Sequence, residues 1–184
     1  MRAAAPLLAC LALPAAAALP AEGLALDAGH RLVQADSGWT VRSETGEADR
    51  PLRVPALVAE SAVAVRGRLL AYVSHTRYAD RFMLGCVLYN WQSDTVIARQ
   101  DERIFRSADA AAAPTANATA DDPAVAFDGE DHVSCRLTGE QCKPDFSSCT
   151  PVRGTVALGP AAQNGRHGKR SRKNRHPAGS ASHR

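Results

Sequence analysis

Cysteine is the residue type in this sequence with the most definite chemistry. The chain has five cysteines, and Cys10 lies in an N-terminal segment that we expect to be removed, which leaves Cys86, Cys135, Cys142 and Cys149. An even number of cysteines in a secreted chain predicts two disulfides. Three pairings are possible, and each joins Cys86 to a partner at least 49 residues away. Closing a loop of that size stabilises a fold by about 3 to 4 kcal/mol.

The later cysteines, together with His132, could instead bind zinc as thiolates. Gaps of six residues separate Cys135, Cys142 and Cys149, whereas structural zinc sites use the much tighter CxxC spacing. We therefore predict disulfides, and no metal or other cofactor.

The histidines and serines give no recognised catalytic pattern. Each of three histidines could be combined with a serine and a carboxylate, as in a hydrolase: His30, His75 and His132 with Ser61, Ser74 or Ser134. No nucleophile-elbow glycine pattern, HExxH, CxxC or phosphate-binding glycine motif accompanies them. His75 stands near Arg77 in a polar run that is typical of an exposed turn. We therefore predict a protein that is not an enzyme.

The elements that must position these residues lie between Leu52 and Phe105, the part of the chain richest in large apolar residues. Four short runs rich in β-branched and aromatic residues predict successive antiparallel strands, at 62–65, 69–73, 82–89 and 95–98. Gly67 and the polar residues 74–77 and 90–94 predict the turns between them. Residues 69–73 are large on both faces of the strand, so we expect this strand at the centre of the sheet, with both faces covered.

Residues 57–65 also match the spacing of a short helix, with Gly67 just past its end. The predicted fold class is therefore mainly β: a small antiparallel sheet or sandwich, with or without one short helix, stapled by disulfides.

Composition divides the rest of the chain. Residues 1–18 combine Arg2 with a short Ala/Leu run, which predicts a cleaved secretory signal and a mature chain without a membrane span. Residues 19–51 form a polar lead-in with one strand, at 39–41, that packs Trp39 on the β-rich core of residues 52–105. Residues 106–131 are an Ala/Asp-rich linker with a glycosylation sequon at Asn117, and residues 132–159 are a cysteine-containing segment packed on the core.

The C-terminal segment is strongly basic. From Phe146 to Arg184 there are eight Lys and Arg and no acidic residue, so the other 14 basic residues accompany all 19 acidic ones. The net charge of +3 hides an acidic body and a basic tail. Residues 160–184 lack large apolar side chains and are expected to be disordered. Six basic residues of this tail predict binding to sulfated glycosaminoglycans such as heparin, or to a partner: Arg166, Lys169, Arg170, Arg172, Lys173 and Arg175.

Other interpretations of the tail remain open. Lys169 and Arg170 form a dibasic pair preceded by Gly168, which resembles the processing site of a precursor whose product is amidated. A tail that only improves solubility is a further alternative. Nucleic acid is not an expected partner, because the chain is predicted to be secreted.

Short motifs over about a third of the chain resemble the first strands of the N-terminal sugar-binding β-sandwich of β-mannosidases. They are Trp39, Gly46, Val54-Pro55, Val58, Arg77-Tyr78-Ala79-Asp80 and Leu88-Tyr89-Asn90-Trp91. The tryptophan-bearing strands that follow in that family are missing here. The resemblance implies a carbohydrate-binding fragment without the barrel that carries the catalytic glutamates, and so implies no activity.

The architecture is also similar to that of the herpesvirus glycoprotein L class, with a signal, four cysteines, no membrane span and a basic tail. Leu52-Arg53-Val54-Pro55 and Asp94-Thr95-Val96 match it locally, while Arg103-Ile104-Phe105 stands where that family has Trp and Asn-Pro residues. This resemblance implies a subunit that escorts a membrane glycoprotein partner.

Neither resemblance is adopted as the family. The sequence as a whole predicts a secreted, disulfide-stabilised glycoprotein that acts by binding an extracellular protein partner, a glycosaminoglycan or both.

Overall fold

The structure is a computed structural model that describes residues 19, 20, 22–107 and 124–159. These residues form eleven strands and no helix. The strands are β1 (Leu24–Ala25), β2 (His30–Ala35), β3 (Gly38–Ser43), β4 (Arg50–Leu52), β5 (Val63–Arg66), β6 (Leu69–Tyr78), β7 (Arg81–Asn90), β8 (Thr95–Ser107), β9 (Val125–Phe127), β10 (Val133–Cys142) and β11 (Cys149–Leu158). The mainly β fold class predicted from the sequence is confirmed.

The strands form two antiparallel sheets. Sheet 1 contains β1 to β4 in chain order. Sheet 2 has the order β11-β10-β8-β7-β6-β5, and β9 also pairs with β10. Tight turns join the first three strands of sheet 2: Gly67 opens the β5–β6 turn at φ 54°, and Ala79 opens the β6–β7 turn, also at φ 54°. Positive φ suits glycine and is unusual for alanine.

β6 and β7 form the centre of the molecule. On one face, Leu70, Tyr72 and Val87 pack with Trp39 and Leu32 of sheet 1. The opposite face packs against β9, β10 and β11 through a second buried cluster, which includes Ala71, Val73, Leu84, Cys86, Leu88, Val125, Val133, Leu137 and Val156. The predictions that β6 is central and that Trp39 packs on the sheet are both confirmed.

The pairing of β8 with its neighbours is irregular, and this allows the strands that follow it to lie over the sheet. Its register with β7 shifts twice, between Met83 and Gly85 and between Leu88 and Tyr89, and such bulges bend a strand. β10 pairs with β8 only at Glu140 and Phe105. The β10–β11 hairpin can therefore lie over the face of β7 instead of continuing a flat sheet.

Both predicted disulfides are present, and the structure selects one of the three pairings. Cys86 of β7 bonds to Cys135 of β10 with a Cα–Cα distance of 5.7 Å, so this bond joins the central strands to the layer that covers them. Cys142 bonds to Cys149 across the ends of β10 and β11, with a Cα–Cα distance of 4.1 Å. Within the described ranges, no helix is long and apolar enough to cross a membrane. Two disulfides are compatible with an extracellular protein.

Two local predictions differ from the structure. The helix considered over residues 57–65 is wrong, because this segment is a turn followed by β5. The turn predicted at residues 74–77 is wrong, because these residues continue β6, which ends at Tyr78. Sheet 1 lies in the polar lead-in, apart from Leu52 at the end of β4, and residues 106–131 include β9, whose Val125 is buried.

Candidate binding surface

Three aromatic residues from separate segments meet at one end of sheet 2. Tyr78 ends β6, Phe105 lies near the end of β8, and Phe146 lies in the β10–β11 loop. We call this group, together with Arg81 at the start of β7, the aromatic tip. The antiparallel turn after β6 and the Glu140–Phe105 pairing of β10 with β8 bring these segments together.

The rings of the aromatic tip are in mutual contact. The centroid of the Tyr78 ring is 5.7 Å from that of Phe105 and 5.9 Å from that of Phe146, and the two phenylalanine rings are 5.2 Å apart in an edge-to-face arrangement. The guanidinium carbon of Arg81 lies 5.5 Å from the centroid of the Phe146 ring, and Arg81 Nη1 is 3.0 Å from Glu140 Oε2. Aromatic pairs and an arginine over a ring each add stability beyond burial.

The loop that carries Phe146 is closely constrained. The Cys142–Cys149 disulfide closes it, and the N–H of Lys143 donates to the carbonyl of Ser148 at 3.0 Å. Asp145 accepts hydrogen bonds from the N–H and the hydroxyl of Ser147, at 3.1 and 2.8 Å. Phe146 itself has φ 57°, a strained conformation for a bulky residue. The loop therefore holds an aromatic side chain in place at a cost in backbone energy.

Exposure makes this group a candidate for binding rather than for core packing alone. Tyr78 is 49% exposed although it is a large apolar residue, and Phe146 is half-buried. Tyrosine and arginine are among the residues most enriched at the energetic centres of protein interfaces. Because its rings are already ordered, the aromatic tip would lose little entropy when a partner binds.

A second polar group lies inside the molecule, around His75. His75 is 3% exposed and Ser61 is fully buried, and His75 Nδ1 lies 3.3 Å from Ser61 Oγ. The turn before β5 positions Ser61, since its hydroxyl accepts the N–H of Val58 at 3.1 Å. The structure thus brings together one of the histidine and serine pairs considered above, but a fully buried hydroxyl is closed to a substrate in this conformation.

His75 also borders a small cavity. The cavity has a volume of about 10 Å³, roughly the space one water needs, and Glu60, Arg106 and Arg136 are among the residues that line it. His75 Nε2 has no hydrogen-bond partner within the described part of the protein. Burial, followed by the positive charge of Arg106, lowers the pKa of His75 to about 4. His75 is therefore neutral at pH 7.

The remaining predicted residues do not join a common site. His30 is 2.8 Å from Asp27 and His132 is exposed beside Gly159. Cys142 and Cys149 lie near Glu140, but their sulfurs are bonded to each other and are not thiolate ligands. The sequon at Asn117 and the six basic tail residues from Arg166 to Arg175 lie outside the described residues.

Two features of the structure were not predicted from the sequence: the aromatic tip and the burial of His75. The aromatic tip joins residues from three distant segments, so no local pattern marks it. The burial of His75 has a weak signal: residues 69–78 form one uninterrupted stretch without Gly or Pro, which fits a long strand as well as a strand and a turn.

Comparison with known proteins gives no relative for this chain. No family model matches it, and no curated protein or solved structure matches it either.

Proposed function

We propose that this chain is a secreted, non-enzymatic binding protein that docks an extracellular protein partner on the aromatic tip. The observation that carries the proposal is the exposure of Tyr78, at 49%, on top of two ordered phenylalanine rings. The Cys142–Cys149 disulfide and the strained Phe146 support it, because both maintain this surface and neither belongs to the main core.

The basic tail adds a second, electrostatic contact in this proposal. The tail carries the six basic residues from Arg166 to Arg175, and a chain of this charge is attracted to sulfated glycosaminoglycans by counterion release. This protein would then make two linked contacts: a specific contact of the aromatic tip with the protein partner, and a non-specific contact of the tail with a polyanion. Linking the two raises the overall binding affinity.

Replacing Tyr78 with alanine should weaken partner binding by about 10- to 100-fold, because a central interface tyrosine contributes about 1.5 to 3 kcal/mol. The unfolding free energy should fall by only about 1 to 2 kcal/mol, because two aromatic contacts are lost but half of the side chain is already in water. The measurement is binding of the full-length glycosylated protein, multimerised to raise avidity, to arrays of extracellular proteins and glycans, followed by titration on each positive spot.

Val96→Ala is the matched control. Val96 is also an exposed large apolar residue, at 43%, but it pairs with Tyr89 at the opposite end of β7 and β8. It should leave binding unchanged. Equal binding by the Tyr78→Ala variant and the parent would remove the aromatic tip from the proposal. Binding only to glycan spots would favour a carbohydrate-binding function, and binding to a membrane glycoprotein would favour an escort subunit.

Reversing four tail charges, with Lys169, Arg170, Lys173 and Arg172 all changed to glutamate, should shift elution from a heparin column to much lower salt. Each basic residue that contacts the polyanion contributes close to one released counterion to the salt dependence. The control reverses four exposed charges on the body instead, by glutamate substitutions at Arg53, Arg68, Arg77 and Arg103. If the two variants elute at the same salt concentration, heparin binding depends on the net charge of the protein and not on the tail. Secreted protein that already lacks the tail would support the precursor alternative.

A further inference from the structure

The sheet edges of this molecule are unequal. Among the described strands, five pair with one neighbour only, and four of these are very short: β1 has 2 residues, β4 and β9 have 3 each, and β5 has 4. The fifth, β11, has 10 residues. Proteins commonly shorten or block edge strands because an open edge pairs with other chains. β8 is also long, and β10 pairs with it only at Phe105, but two register shifts bend β8, and bulges of this kind block an edge. β11 has no such shift in its pairing with β10, and it is long enough to pair with a partner strand.

Hydrogen bonding shows which backbone groups of β11 point away from the sheet. The N–H of Lys143 donates to Ser148, which fixes the alternation of the β10–β11 ladder. Alternate residues from Thr150 to Leu158 bond to β10, so the N–H and C=O groups of the intervening residues face outward. The N–H of Arg136, opposite Thr155, donates to Ala124 of the segment before β9 at 2.7 Å, as this alternation requires.

The side chains of β11 are consistent with an edge that is open to solvent. Pro151 occupies one of the outward positions, where a residue without an N–H does not disturb the ladder. The side chains at the outward positions 151, 153, 155 and 157 are all exposed. Arg153 is the one charged residue of β11, and the strand contains no carboxylate. The outer edge of β11 can therefore pair with a further strand, and it carries one positive charge, that of Arg153, near its middle.

We infer that the partner of this protein adds an extended, acidic segment as a further strand along the outer edge of β11. Backbone bonds to Arg153, Thr155 and Ala157 supply affinity, and a carboxylate beside Arg153 supplies selectivity. A second copy of the chain fits less well, because β11 would bring another arginine and no carboxylate. The inference rests on the proposed binding function and names the chemistry of the partner.

The test is a display selection of random linear peptides on the full-length protein, followed by anisotropy titration of the enriched peptides. Enriched peptides should be acidic and extended. Thr155→Pro should lower the affinity for these peptides at least about tenfold, because it removes one outward N–H and places a ring against the added strand. Thr155→Val keeps the N–H and should bind as the parent does. Arg153→Glu should shift the enriched peptides from acidic to basic.

Amide hydrogen exchange tests the same edge without a substitution. In the free protein the N–H groups of Arg153, Thr155 and Ala157 should exchange fast, while that of Val156 should be protected. Binding of an enriched peptide should slow the exchange of the three fast groups. Protection of these three groups in the free protein would overturn the inference, as would equal affinity of the Thr155→Pro and Thr155→Val variants. A dimer in light scattering that Thr155→Pro dissociates would assign the edge to a second copy and overturn the acidic partner.

The two proposals fail separately. Partner binding that is lost in Tyr78→Ala and kept in Thr155→Pro would leave the aromatic tip as the docking surface and remove the edge. The reverse pattern would keep the edge and remove the tip.

Discussion

Replacing Cys86 and Cys135 together with alanine should lower the free energy of unfolding by about 4 kcal/mol. The bond closes a loop of 49 residues, so it restricts the conformations of the unfolded chain, and without the bond the unfolded chain regains that entropy. Both cysteines are fully buried in the cluster between the central strands and the β10–β11 layer. Losing the bond therefore also removes packed sulfur atoms from the core. Urea unfolding, followed by tryptophan fluorescence, measures the change.

The second disulfide is an internal control for this prediction. Cys142 and Cys149 are only 7 residues apart, so the same chain-entropy argument gives about 2.5 kcal/mol for their replacement with alanine. Both are partly exposed, so a mild reductant should open this bond before the buried one. A larger loss from the Cys142/Cys149 pair than from the Cys86/Cys135 pair would contradict loop length as the main cause.

Fold class and the central strand could be predicted because they depend on properties that are local in sequence. Residues 69–73 are large on both faces of a strand, and this pattern has few solutions other than a covered central position. The parity of the cysteines and the predicted secretion similarly indicated two disulfides. The pairing required knowledge that β10 and β11 form a hairpin, because the hairpin places Cys142 opposite Cys149 and leaves Cys135 for Cys86.

The errors come from places where tertiary structure overrides local pattern. Polar residues 74–77 resemble a turn, but Ser74 and His75 pair with Gly85 and Leu84 of β7 and are buried there. The true turn uses Ala79 and Asp80, without the glycine or asparagine that usually marks positive φ. The strands of sheet 1 were mostly missed because each buries only a few side chains and presents the rest to water.

The aromatic tip was beyond any local prediction for a related reason. Tyr78, Phe105 and Phe146 meet only if the register of β6, β8 and β10 is known. The two register shifts between β7 and β8 decide where Phe105 lies. Gly85 stands at the first shift, but a lone glycine in a strand does not tell how many residues of the neighbouring strand are left unpaired.

His75 should make the protein acid-sensitive. Its pKa is lowered from 6.5 to about 4 in the folded state, first by burial and then by the charge of Arg106. Between pH 6.5 and pH 4 the unfolded chain therefore binds a proton at His75 that the folded protein does not bind. The unfolding free energy falls by about 1.4 kcal/mol per pH unit over this range, and the total loss is about 3 kcal/mol. Above pH 6.5 neither state is protonated, and this contribution to pH dependence ends.

Urea unfolding of the parent and of His75→Gln, at several pH values from 7 to 4, isolates this contribution from that of the carboxylates. The glutamine variant should lose the slope that His75 causes, so its stability relative to the parent should rise steadily as the pH falls. His132→Gln is the control for the exchange of a histidine for a glutamine, because His132 is exposed. Parallel pH profiles for the parent and His75→Gln would mean that His75 takes up its proton while folded. The cavity with Glu60, Arg106 and Arg136 would then accommodate a charged imidazole, for which Glu60 is the neighbouring carboxylate.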